Sequence, residues 1–112
     1  MIKPILKRPL EYRNVPEDND EDFYVAITAV IGTQDSTGAD LFYFYAASPK
    51  RLQRLFEDEG VFWGKDLLIM NKFDSRIIEE EVIKMLEECA RETWEEVAQA
   101  INRFLFWEYD KR

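Results

Sequence analysis

The sequence contains no histidine. That removes the usual general base near neutral pH, and with it any Ser-His-Asp or Cys-His arrangement and any imidazole metal ligand. Cysteine is almost as scarce. Cys89 stands alone, so no internal disulfide can form, and its helical surroundings suit a small buried hydrophobe in a reducing compartment. Only four glycines and four prolines occur in 112 residues, which excludes a fibrous repeat or a long linker. Neither a Gly-rich phosphate loop nor a G-x-G-x-x-G fingerprint is present. Apolar runs end within about ten residues, too short to cross a bilayer. The basic start of the chain is broken by Pro4, Lys7, Arg8 and Pro9 before any run reaches signal-peptide length. These absences predict a soluble, cytoplasmic protein that is not an enzyme and has no metal or cofactor.

Positive charge is also in short supply. Fifteen Lys and Arg face 23 Asp and Glu, a formal net charge of −8. The surplus is concentrated: residues 14–22 carry five acids and no base, and residues 74–96 carry nine acids against three bases. Nucleic acid and anionic membranes both require a basic footprint, so neither is an expected partner. A cationic protein is the partner class that such a surface attracts, although acidity can also serve solubility alone. With 23 acids in the chain, some pair of carboxylates will always look placed for acid–base work, so such a pair is weak support for a hydrolase.

What the sequence does contain is a pattern for one α+β domain covering residues 1–112. Residues 23–31 (FYVAITAVI) and 41–47 (LFYFYAA) are strand-like runs separated by the turn formers of residues 32–38, so residues 22–47 read as a central β-hairpin. Period two places Phe42, Phe44 and Ala46 on one face and Leu41, Tyr43, Tyr45 and Ala47 on the other. Phenols tolerate water at one end, so the Phe face is expected to be the core side. The Tyr24, Tyr43 and Tyr45 face is either plain sheet surface or a contact surface. Residues 2–13 supply a further edge strand at which Pro4 and Pro9 cost least.

Ser48-Pro49 starts a helix over residues 49–59, with Leu52, Leu55 and Phe56 as its buried stripe and Gly60 as its stop. Trp63 is expected to cover an edge of the core, and residues 67–73 (LLIMNKF) read as another strand of open order in the sheet. Two C-terminal helices complete an antiparallel-rich sheet of about four strands, packed on one of its faces. The first covers residues 75–91, with Ile78, Val82, Met85, Leu86 and Cys89 in one stripe. The second opens on the capping box Thr93-Trp-Glu-Glu96. Phe106 and Trp107 project away from its stripe. Large rings are costly to leave in water, so the helix is expected to stop near Leu105 with the rings folded back on the sheet.

Among the acids, Asp18, Asp20 and Asp22 alternate as in the start of an EF-hand loop. However, the sixth position is Phe23 and the twelfth is Ala29, so a solvated acidic loop is the expected state. On the first C-terminal helix, Glu80 is spaced for Lys84 and Glu87 for Arg91. Glu81 and Glu88, one heptad apart, have no evident basic partner and are the better candidates for an external contact. Asp18, Asp20, Asp22, and Trp107 with Glu108, complete the candidate contact set.

Taken in order, the hairpin, the LFYF strand leading into SPKRL, then LLIMNKFD, WEEVA and the closing FLFWEY make a pattern that resembles the bacterial immunity protein 8 family. These proteins accompany polymorphic or contact-dependent toxins. The resemblance implies a cytoplasmic protein that binds a cognate toxin C-terminal domain delivered by a neighbouring cell and blocks it. Surplus charge suggests a toxin with a basic nucleic-acid groove, a nuclease, which carboxylates could fill in place of phosphates. The competing reading is a small acidic adaptor unrelated to toxins. A gene placed directly beside that of a large secreted toxin separates the two.

Overall fold

A computed structural model describes residues 1–110. Two nine-residue strands, β3 (Tyr24–Gly32) and β4 (Ala39–Ala47), pair antiparallel along their whole length, from Tyr24 opposite Ala47 to Gly32 opposite Ala39. Their turn closes tightly. A Cβ on Gly32 would meet the Gly38 carbonyl oxygen, so only glycine lets the two ends approach this way. Around this hairpin sit four short strands: β1 (Ile5–Leu6), β2 (Glu11–Arg13), β5 (Leu67–Ile69) and β6 (Phe106–Trp107). β1 and β2 both pair antiparallel with β3, while β5 runs parallel and β6 antiparallel beside β4. The sheet is thus antiparallel-rich, as the sequence predicts, but has six strands among the described residues instead of about four. Two of the additional pairings arise because residues 2–13 split into two segments around Pro9 and because the last rings form a strand of their own.

Period two holds along the hairpin. Val25, Ile27, Ala29 and Ile31 of β3 and Phe42, Phe44 and Ala46 of β4 are buried in one cluster. Against them pack α2 (Ser75–Glu87) through Ile78, Val82 and Leu86, and α3 (Trp94–Ile101) through Val97, Ala98 and Ile101. Phe73, between β5 and α2, is fully enclosed, its ring edge-on to Tyr12 at 5.7 Å and to Phe23 at 5.6 Å. Both C-terminal helices therefore cover the Phe face of the hairpin and leave the Tyr face open. An antiparallel sheet tolerates this exposure because its ladder already satisfies the backbone.

A third helix, α1 (Pro49–Glu59), joins β4 to β5. Buried Ser48 caps it and also ties it to the sheet: its Oγ accepts from Arg51 N–H at 3.2 Å and from Phe23 N–H at 3.1 Å. Gly60 at φ 75° ends it in the left-handed conformation that favours glycine. Leu52 is buried, but not in the main cluster, and Phe56 is 46% exposed. The stripe predicted for α1 is therefore only partly covered, because the helix lies away from the layer formed by α2 and α3. Trp63 departs furthest from expectation: at 95% exposed it covers nothing.

Thr93 Oγ1 accepts from Glu96 N–H at 3.2 Å, the N-cap half of the predicted capping box, while the Glu96 carboxylate accepts from the Thr93 hydroxyl at 3.0 Å. Replacing Thr93 with alanine is expected to lower stability by about 1 kcal/mol in denaturant titration. An unchanged midpoint would show that packing alone fixes this helix start. α3 ends at Ile101, four residues before the predicted stop, and the rings fold back as expected: Trp107 pairs with Phe42 and is buried. Among the described residues no helix is long and apolar enough to cross a membrane.

Candidate interaction surface

Because β5 occupies β4 at residues 45–47 and β6 occupies it at residues 42–43, the two short strands leave a break in the sheet beside Phe44. A cleft of about 320 Å³ opens there. Leu67 and Leu68 line one side, Phe104 and Leu105 the other, and Val82 and Met85 of α2 its back. Asp66 turns the chain into β5 at φ 58°, a left-handed conformation that Asp tolerates, and its carbonyl accepts the Tyr45 N–H at 2.9 Å.

α2 brings its acids to this cleft. Asp74 caps the helix by accepting Arg76 N–H at 3.0 Å, and with Ile78, Val82 and Leu86 turned to the core, the flank carrying Glu81, Met85 and Glu88 borders the opening. Glu81 and Glu88, singled out in the sequence, thus meet at one apolar-floored cleft. The reason for choosing Glu81 needs correction. Lys84 pairs with it at 3.0 Å, at i,i+3, and not with Glu80. Both partners are exposed, so the pair holds little energy and leaves the carboxylate accessible. Likewise Arg91 does not reach Glu87. Its guanidinium donates to the Glu88 and Ala90 carbonyls at the end of α2.

The other acidic candidates lie elsewhere and are more engaged. Asp22 accepts from Arg51 at 2.6 Å and from Arg54 at 2.7 Å, and the Arg51 hydrogen bond with the neighbouring positive charges holds its carboxyl below the usual carboxylate range. Asp20 accepts Asp22 N–H at 2.9 Å, and its own carbonyl accepts Phe73 N–H at 2.8 Å, so the acidic loop is pinned to the core. Only Asp18 of the three is exposed without a hydrogen bond. At the far end, Trp107 is 6% exposed, with its indole N–H on Asp40 at 2.9 Å. Glu108 turns back to accept Leu41 N–H. The structure therefore corrects Trp107 as a surface group, because it is buried, whereas Asp22 and Glu108 have internal partners but remain partly exposed. Trp94 also donates to Asp40, at 2.8 Å, so one carboxylate joins two indoles.

Residues 2–111 match the family model described as Immunity protein 8. The chain belongs to the immunity protein 8 family. No curated protein and no solved structure matches it. Membership makes this an immunity protein, and its partner class a toxin protein. The apolar half of this cleft is not foreseen in the sequence. Leu67, Leu68, Met85 and Phe104 each look like ordinary core residues, and only the break between β5 and β6 exposes them. A weak signal was present in the sequence, since the polar pair Asn71-Lys72 comes one residue after β5 and limits its length.

Proposed function

We propose that this immunity protein neutralises its cognate toxin, the C-terminal domain of a polymorphic or contact-dependent toxin, by stoichiometric occlusion in the cytoplasm. The surface used is the cleft between α2 and the break in the sheet. The observation that carries the reading is the convergence of Glu81 and Glu88 on one apolar-floored opening. Hydrophobic contact there supplies affinity, and carboxylates at the rim supply orientation and rate. No bond is made or broken. A net charge of −8 favours a toxin with a basic active-site groove, such as a nuclease, in which the glutamates stand where phosphates would.

The test is charge reversal of both glutamates, Glu81→Lys with Glu88→Lys, measured against the toxin domain encoded beside this gene. Binding is expected to weaken by at least about tenfold, mainly through slower, less salt-sensitive association. Thermal stability should change little, because both positions are exposed and, among the described residues, the ion pair lost is the surface pair with Lys84. Unchanged affinity and unchanged salt dependence would remove the cleft from the toxin contact.

A further inference from the structure

The Tyr face of the sheet, opposite the layer formed by α2 and α3, differs from the chain as a whole in its charge. Among the described strand residues that register turns to it, Glu11 and Arg13 are the ionised ones, one of each sign, opposite Thr28 and Ala26. Lys7 comes in beside Val30, but its ammonium is held by the Thr33 and Ser36 carbonyls, both at 2.6 Å. These strands therefore present a balanced face on a chain of net charge −8. Its uncharged part includes half-buried Val30, Leu41 and Phe106, and the rings of Tyr43 and Tyr45 at 38% and 41% exposed.

The relief of this face complements itself. Tyr43 and Tyr45 make a ridge along β4, and opposite them β3 presents only Thr28 and Ala26. Between that ridge and the Glu11 and Arg13 positions of β2 lies a trough of about 390 Å³. Ridge and trough belong to neighbouring strands, so a two-fold axis running between β3 and β4 sets the ridge of each copy into the trough of the other. Area is sufficient. Four strands spaced by about 4.8 Å and rising about 3.3 Å per residue give a face of roughly 500 Å², with one end closed by Phe62, edge-on to Tyr24 at 6.1 Å. Two copies together bury about 1,000 Å², the lower end of specific interfaces. Charge selects the occupant: a cationic protein is drawn to the acids of the α2 cleft, whereas a balanced face is where two chains of like net charge meet with least repulsion. We infer that the chain forms a weak two-fold dimer through the Tyr face, with Tyr43 and Tyr45 of each copy seated over Thr28 and Ala26 of the other. Phenols suit a reversible contact, because their hydroxyls remain hydrated when the copies part. Pairing leaves α2 on the outer side of both copies, so the inference stands whether or not the cleft is where toxin binds.

The test is sedimentation of the full chain at rising concentration, with backbone amide resonances followed alongside. A dimer with a Kd on the order of 10–100 μM is expected, and the amides of Ala26, Thr28 and Tyr43 should move as it forms while those of Glu81 and Met85 hold still. Tyr43→Glu and Thr28→Lys should each weaken self-association at least about tenfold, since each puts an unpaired charge into the contact. An equimolar mixture of the two variants should dimerise again, because the new acid of one meets the new base of the other. Glu81→Lys with Glu88→Lys should dimerise at least as well as the natural chain, which separates this surface from the cleft. A chain that stays monomeric at about 1 mM, or a dimer indifferent to both Tyr43→Glu and Thr28→Lys, would overturn the inference. So would a monomer whose Tyr-face amides move only when the toxin domain is added, because the occupant would then be the toxin.

Discussion

Asp40→Ala is expected to lower stability by about 2–4 kcal/mol, one of the largest effects of any substitution outside the apolar core. Both Trp94 and Trp107 donate their indole N–H groups to the same carboxylate oxygen, at 2.8 and 2.9 Å. Alanine removes the acceptor and strands two donors, at roughly 1–3 kcal/mol for each one kept from water. The loss should also loosen β6, because Trp107 anchors that two-residue strand to β4 opposite Phe42. Denaturant titration measures the first effect. The second should appear as a red shift in tryptophan emission, against the constant background of exposed Trp63. Asp40→Asn retains one acceptor oxygen and should recover part of both. A loss well under 1 kcal/mol in the alanine variant would mean that water replaces the carboxylate and that packing alone holds the two indoles.

Phe73→Ala is expected to cost about 3–5 kcal/mol, the range for emptying a fully buried aromatic site. The ring is 1% exposed and touches both Tyr12 and Phe23, so its removal leaves a hole bordered by rings from β2 and from the residue just before β3. Out of a total near 5–15 kcal/mol, such a loss brings the protein close to unfolding at ordinary temperature. A second consequence is local. Phe73 N–H donates to the Asp20 carbonyl, and its own carbonyl accepts Asn19 N–H at 2.9 Å, so the buried ring fixes the backbone to which the acidic loop is fastened. Hydrogen exchange at the Asn19 amide should accelerate more than exchange within β3. Phe73→Leu, which keeps most of the volume, should retain that protection. Equal acceleration in both segments would show that the loop opens only with the whole domain.

The hairpin was legible in the sequence because its alternation is strict and one face is covered: a slip of one residue would put Phe42 and Phe44 in water and Tyr43 and Tyr45 in the core. The caps at Ser48 and Thr93 were legible for a similarly local reason, since each is decided within four residues. Phe56 was misread because helical spacing gives which residues share a face, not whether another layer lies over that face, and Trp63, in the segment after α1, because the cost of exposing a ring does not put a core within its reach. Trp107 illustrates the converse. Its burial followed from the cost of exposing a ring, but its partner, Asp40, is 67 positions away and no local pattern announces it. The pairing of Lys84 with Glu81 instead of Glu80 is a choice between two spacings of similar energy, which a sequence does not rank. Glu81 and Glu88 were singled out for lacking a basic partner, which does not hold for Glu81, and the cleft they border is created by two strands too short to meet.

The strands flanking the central pair, none longer than three residues, have an effect on behaviour at high concentration. An unprotected nine-residue strand is a template on which other molecules can stack through their main chains. Here β3 is screened by β1 and β2, and β4 by β5 and β6, so each border of the sheet presents only fragments, interrupted by loops that point other ways. Copies of this chain meeting edge to edge find no continuous row of amides to extend. The domain can therefore leave an aromatic sheet face open without inviting growth into fibres, and its contacts with other proteins must be made through side chains.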